Sequence, residues 1–256
     1  MSRIYALANQ KGGVGKTTTA VNLGAYLCQA GKRVLLIDAD PQANATSSLG
    51  IDKNVLTRSL YDVLVGSESP ASMVMLTAQI GLDLLPSSPA LAGAEVEMVD
   101  MPGRELRLRH ALEQVAPRYD FVLIDTPPSL GLLTINALTA ADGVIIPIQC
   151  EYLPLEGLTQ LLQTIELVRQ RLNSTLAVRG LLMTMYDSHT NLSRQVVNDV
   201  RTHFPATLFR AIIPRSIKLS EAPSYGEPIL TYAPESSGGQ AYAALCQELL
   251  AGEPPR

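Results

Sequence analysis

The sequence predicts a single α/β domain spanning residues 1–256, with a doubly wound, mostly parallel sheet and helices on both faces. Three observations lead there. Short apolar runs alternate with stretches of helical periodicity along the chain. One run, Val34-Leu35-Leu36-Ile37, is apolar at every position, as a strand covered on both faces must be. The first run passes through a glycine-rich loop into a helical pattern, the strand–loop–helix order of a phosphate-binding loop.

Residues 4–8 are short and apolar, and residues 19–27 carry apolar side chains at helical spacing. Between them lies Gln10-Lys11-Gly12-Gly13-Val14-Gly15-Lys16-Thr17-Thr18. Glycines let this backbone turn tightly and aim several N–H groups at one anion. A helix starting near Lys16 adds its positive end. The loop from Lys11 to Thr18 is therefore the candidate nucleotide cradle. Lys16 is placed to neutralise β- and γ-phosphates, and the Thr17 hydroxyl to ligate Mg²⁺, a hard cation.

Gly31-Lys32-Arg33 makes a turn, and the strand at 34–37 ends in Asp38-Ala39-Asp40-Pro41-Gln42. Two carboxylates at the end of a buried strand, next to a phosphate loop, are well placed for metal and water. Residues 59–64 read as a short helix, 82–86 as a strand and 103–116 as a helix. No catalytic chemistry is visible between residues 45 and 120. Four apolar residues ending in Asp125 then match a Walker B strand, and Asp125 would fix a water in the Mg²⁺ shell. Residues 144–148, 176–185 and 208–213 read as strands. Residues 155–172, 193–204 and 241–250 read as helices, and 251–256 as a short frayed tail. Right-handed crossovers would gather the motif loops on one edge of the sheet.

Composition narrows the class. The chain has 256 residues, 46% hydrophobic and 17% charged, enough for one large core. A net charge of −4 does not announce nucleic-acid binding. Cys28, Cys150 and Cys246 are far apart with no C-x-x-C pair, so no zinc or iron–sulfur site is indicated, and a reducing cytoplasm fits. The N-terminus runs straight into a strand without a signal peptide, and no apolar run reaches the roughly 18 residues of a membrane span.

The ordinary loop pattern needs glycine at position 10, where this chain has Gln10, and Lys11 opens the loop instead. This resembles the deviant Walker A loop, K-G-G-x-G-K-[ST], of the ParA/MinD family of ATPases. Asp38-Ala39-Asp40-Pro41-Gln42 and Asp125-Thr126-Pro127-Pro128 resemble the family's second and third motifs. Residues 213–226 and 185–192 resemble the Soj-type chromosomal members, so the likeness runs over essentially the whole chain. It lacks the N-K-x-D guanine signature, which favours ATP.

The resemblance implies a set of roles. Lys11 would reach across a dimer interface to the partner subunit's ATP. Asp40 would position the attacking water and help hold the Mg²⁺ shell, making Lys11, Lys16 and Asp40 catalytic. Thr17, Asp40 and Asp125 would form the Mg²⁺ site. The loop at 125–128 would sense the γ-phosphate. Met185, Pro214 and Ser216 would contact the adenine. It further implies an ATP-bound homodimer, non-specific binding of double-stranded DNA and slow hydrolysis accelerated by a ParB-type centromere-binding partner. The outcome would be chromosome or plasmid segregation by a cytoplasmic, nucleoid-associated protein. Lacking an N-terminal DNA-binding extension, the chain looks like the short chromosomal type.

Charge adds an independent hint. Residues 179–218 hold Arg179, Arg194, Arg201, Arg210, Arg215 and Lys218 against Asp187 and Asp199 only. Such an excess in an acidic chain suggests a phosphate-backbone footprint, with Arg179, Arg201, Arg210, Arg215 and Lys218 as DNA contacts. Backbone contacts alone give salt-sensitive, sequence-independent affinity. Lys218 falls where family members carry a DNA-binding base, whereas His189 replaces an arginine common in relatives. A MinD-like, membrane-cycling ATPase is the alternative. It would need a basic amphipathic C-terminal helix, which Ala251-Gly252-Glu253-Pro254-Pro255-Arg256 cannot form. A cluster-bearing relative would need bridging cysteines. A nucleotide-binding protein without turnover is the third alternative.

Overall fold

In a computed structural model, which describes residues 2–66, 68–151 and 155–252, parallel strands carry the motif loops on one edge. In chain order the strands are β1 (Arg3–Leu7), β2 (Val34–Asp38), β3 (Met75–Leu76), β4 (Leu82–Leu85), β5 (Phe121–Asp125), β6 (Gly143–Gln149), β7 (Ala177–Tyr186) and β8 (Leu208–Pro214). They form one sheet ordered β3-β4-β2-β5-β1-β6-β7-β8. Every pairing is parallel except β3 with β4. The register sets Leu7 and Asp38 on either side of Asp125, so three motif-bearing strand ends lie abreast.

The helices are α1 (Lys16–Gln29), α2 (Asn44–Ser48), α3 (Leu60–Leu64), α4 (Leu91–Glu97), α5 (Arg107–Leu112), α6 (Leu132–Ala140), α7 (Leu155–Arg171), α8 (Asn191–His203), α9 (Ile217–Glu221), α10 (Ile229–Tyr232) and α11 (Ser237–Ala251). They cover both faces of the sheet. Along β2, Val34 and Leu36 enter one core with Leu23 and Leu27 of α1 and Tyr242, Leu245 and Leu249 of α11. Leu35 and Ile37 enter the other with Leu133, Leu161 and Val197 from α6, α7 and α8. Successive strand residues point to opposite faces, which is why a run apolar at every position belongs here.

Two sequence expectations need correction. The helix expected over 103–116 is broken into a 3-10 turn at Arg104–Leu106, the short α5 and a second 3-10 turn at Ala116–Arg118. Gly103, in the left-handed region at φ 65°, starts the first break, and Pro117, which has no N–H to give, sits in the last. Helix α6 escaped notice because it is buried almost all round, from Leu133 to Ala140, and shows no apolar stripe. Of the expected tail, Ala251 ends α11, and residues 253–256 lie outside the described residues.

The edge strand β8 is guarded. Glu248 of α11 accepts the N–H of Arg210 at 2.8 Å and that of Ala211 at 3.0 Å. These two donors would otherwise invite pairing with another chain. Glu248→Ala is expected to cost about 1–2 kcal/mol and to speed aggregation on heating, read by thermal melting with light scattering.

Candidate nucleotide site

The phosphate loop is held from several sides. Gly13 and Gly15 take the left-handed region at φ 74° and 89°, open to glycine at little cost. The Thr184 hydroxyl donates to the Val14 carbonyl at 2.8 Å and ties the loop to β7. Asn9 accepts the Lys11 N–H at 3.0 Å and donates to the Pro147 carbonyl at 2.7 Å. Helix α1 begins at Lys16, so its N-terminal amides face the loop.

Loop and strand ends border a cleft of about 570 Å³. Gly12, Gly13, Gly15, Lys16, Thr17 and Thr18 form one wall, and Asp40, Gln42, Pro128 and Met185 stand opposite. The two lysines differ. Lys16 is only 6% exposed, and its ammonium donates to the carbonyls of Asn9 at 3.1 Å and Lys11 at 3.3 Å. Lys11 is exposed, and its ammonium has no hydrogen bond or ion pair among the described residues.

Of the three residues expected to hold Mg²⁺, Thr17 and Asp40 line the cleft and Asp125 is bonded to Thr17. The Thr17 hydroxyl donates to Asp125 Oδ2 at 2.7 Å. Asp125 Oδ1 is buried with no partner among the described residues. An orphaned carboxylate oxygen in a polar corner is what a hydrated cation satisfies. Electrostatics agree. Burial, then the Asp38 charge, raises the Asp125 carboxyl well above the usual range, against the Thr17 hydrogen bond and Lys16. Burial also lowers the Lys16 ammonium, opposed by Asp125 and Asp40. Burial thus disfavours charge on Asp125, and a divalent ion held beside it would restore the carboxylate form.

Asp38 has a different fate from the one its spacing suggests. It is fully buried and does not line the cleft. Its carboxylate accepts the Thr46 N–H at 2.8 Å, the Thr46 hydroxyl at 2.7 Å and the Asp40 N–H at 3.2 Å. Burial pushes its carboxyl up to about 6, against those hydrogen bonds. Of the pair, only Asp40 reaches the cleft.

On the far wall Met185 lines the cleft, whereas Pro214 and Ser216 do not. Pro223 and Ser224 do instead, together with Asn44, Ser47 and Ser48 around α2. The sequence carried a signal for the first pair, since Pro223-Ser224-Tyr225-Gly226 is a turn composition. Met185 at φ 53° and Ala43 at φ 51° are the non-glycine residues with positive φ among those described, and both flank this cleft. Strain of that kind gathers at functional sites.

Known proteins resemble this chain in sequence and fold. Residues 2–178 match a family model described as an AAA domain. The chain is 53% identical over 251 residues to the sporulation initiation inhibitor protein Soj of Bacillus subtilis (strain 168), covering 98% of this chain and 99% of that protein. It is 50% identical over 256 residues to the chromosome partitioning protein ParA of Myxococcus xanthus (strain DK1622), covering 100% of this chain and 90% of that one. This chain belongs to the ParA/Soj family of chromosome-partitioning ATPases. Its fold matches the crystal structure of a cobyrinic acid a,c-diamide synthase from Mycobacterium smegmatis, solved with a bound ATP analog and magnesium. The TM-score is 0.87 at 42% identity, over 98% of this chain and 95% of that one.

The basic residues of this ParA/Soj chain do not form the one face expected of them. Arg179 lies near the start of β7, donates to the Leu249 carbonyl at 3.1 Å and sits over the Phe209 ring at 5.7 Å. Arg210 borders the same groove, and Arg201 lies in the last turn of α8 leading into β8. All three are at the strand-start edge, away from the phosphate loop. Arg215 and Lys218 follow β8 at the strand-end edge, each in an exposed ion pair, with Glu151 and Glu221 respectively. A linear run of charge crosses the sheet with its strands and is divided between two edges.

Cys150 and Cys246 are buried, and Cys28 is half-buried against the core. Burial pushes the Cys28 and Cys150 thiols up to about 12 and Cys246 to about 11. All three are expected to react slowly with a thiol reagent at pH 8 in the folded protein and rapidly in denaturant. Fast native labelling would contradict this packing. Among the described residues no helix is long and apolar enough to cross a membrane, and α11 spends its apolar face on the core.

Proposed function

We propose that this ParA/Soj-type ATPase is a nucleotide-gated switch that binds ATP with Mg²⁺, closes into a dimer and then binds duplex DNA without sequence preference. The observation that carries it is the contrast between the lysines. Lys16 is turned into its own loop, while Lys11, next in sequence to the cleft-lining Gly12, is exposed with its ammonium unpaired among the described residues. An ammonium so placed is available to the phosphates of a second subunit facing the first.

The loop amides from Gly12 to Thr18 and the N-terminus of α1 hold the phosphates. Lys16 neutralises their charge, and Lys11 from the opposing subunit completes the neutralisation. Thr17 and Asp125, with Asp40, would hold Mg²⁺, which when bound withdraws charge from the β- and γ-phosphate oxygens. Asp40 accepts a hydrogen bond from the attacking water and orients it. Met185 contacts the base, and Pro223 and Ser224 border the same cleft. DNA phosphates displace Glu151 and Glu221 from Arg215 and Lys218. Both ion pairs are exposed and screened by solvent, so the exchange is easy. A dimer doubles this edge and gains affinity by avidity. Hydrolysis, accelerated by a ParB-type protein on centromere-like DNA, returns the monomer and releases the nucleoid.

A mobility-shift assay with ATP, ADP or no nucleotide tests this on wild type, Lys11→Ala and Asp40→Ala. DNA binding should require ATP, vanish in Lys11→Ala and persist in Asp40→Ala. Binding indifferent to nucleotide, or none, overturns it.

A further inference from the structure

The segment from residue 45 to 120 carries no visible chemistry in the sequence, yet its Ser87 bonds Asp40 directly and its Thr46 bonds Asp38, which holds the Asp40 N–H. The Ser87 hydroxyl, just past β4, donates to the Asp40 carbonyl at 2.7 Å. The Ser87 N–H donates to the Thr46 hydroxyl oxygen at 3.0 Å, and that hydroxyl donates to Asp38 Oδ2 at 2.7 Å. Asp38 Oδ1 accepts the Asp40 N–H at 3.2 Å and closes the ring. Asp38, Thr46 and Ser87 are each 0% exposed and Asp40 is 6% exposed.

Thus both peptide groups flanking the Asp40 α-carbon are gripped, the N–H side by Asp38 and the carbonyl side by Ser87. The same carbonyl also accepts the Ala43 N–H at 2.9 Å, in the turn where Ala43 takes φ 51°. Asp40 Oδ1 accepts the Gln42 N–H at 2.9 Å, while Oδ2 has no hydrogen bond among the described residues. Neither Ser87 nor Thr46 lines the cleft. We infer that Ser87 and Thr46 are positioning residues for Asp40, which aim its carboxylate at the attacking water and so set the rate of hydrolysis rather than the affinity for ATP. The inference rests on the reading of Asp40 as the residue that orients that water. Its physical basis is that a reacting group must be held within a fraction of an ångström, by neighbours that are themselves satisfied.

The test measures ATP turnover, affinity for a fluorescent ATP analogue and melting temperature of the full chain. Variants are Ser87→Ala, Thr46→Val, Thr46→Ser and Asp40→Ala, with Ser87→Ala also combined with Asp40→Ala. Ser87→Ala keeps the N–H to Thr46 and loses only the grip on the Asp40 carbonyl. It is expected to lower kcat about tenfold with nucleotide affinity unchanged within about twofold. Thr46→Val should do the same, and Thr46→Ser, which keeps the hydroxyl, should restore turnover. In the Asp40→Ala background Ser87→Ala should cost nothing further. If Asp40→Ala stops turnover while Ser87→Ala leaves kcat intact, the inference fails. It fails equally if kcat and affinity fall together in step with melting temperature, the pattern of a merely structural contact. Turnover unchanged in Asp40→Ala itself would instead overturn the underlying reading of Asp40.

Discussion

Lys16→Ala is expected to abolish ATP turnover, with a loss of about 10³-fold. Lys16 is buried in the cleft wall beside Asp125 and Asp40, both of which favour its charged form. Removing it takes a buried ammonium from a corner that holds the fully buried Asp38 and Asp125 and the nearly buried Asp40. The incoming phosphates would then meet that negative charge directly. ATP affinity should fall about 100-fold, the loss of roughly 3 kcal/mol of charge-assisted hydrogen bonding. The simplest readout is the stabilisation that saturating ATP and Mg²⁺ give the folded state. At a hundred times Kd that is about 2.7 kcal/mol, or about 5–10 °C in a chain of this size. Wild type should show this rise in Tm and Lys16→Ala should not. An undiminished rise would show that Lys16 is not in the phosphate site.

Gly226→Ala is expected to destabilise the fold by about 2–4 kcal/mol and lower Tm by about 5–12 °C. Gly226 lies at φ 70°, and a Cβ there would stand 2.7 Å from the Gly50 α-carbon and 3.0 Å from its nitrogen. Both obstacles are backbone, so neither can swing aside. Gly50 itself takes φ 78°, and the two glycines pack face to face between the end of α2 and the turn bearing Pro223 and Ser224. Forcing them apart moves two walls of the cleft, so ATP affinity should fall with stability. Gly31→Ala is the control. It has φ 79° but nothing within 4 Å of the added atom, so it pays only the conformational term of about 1 kcal/mol. Equal melting temperatures for the two variants would sink the packing argument.

Local spacing determined a good deal of this protein. Glycines between a strand and a helix dictate a phosphate loop, since few other residues can turn there and approach an anion. Apolar runs ending in Asp38 and Asp125 dictate strands whose ends meet that loop. Both follow from interactions within a few residues, or from the period of a strand. Several features could be decided only by the tertiary structure. Asp38 and Asp40 look alike in sequence, but β2 ends at Asp38, so the strand holds one in the interior toward Thr46 and the turn that follows carries the other to the cleft. Ser87 joins Asp40 across 47 positions of chain, a separation that no local pattern encodes. The loop wall comes from Pro223 and Ser224 because α9 and the turn after it carry the chain back over the cleft. Arg210 and Arg215 are close in sequence yet lie toward opposite ends of β8, because each strand residue advances about 3.3 Å across the sheet. Sequence spacing measures distance along the chain, whereas a charged face or a hydrogen-bonded ring depends on which strands the fold places side by side.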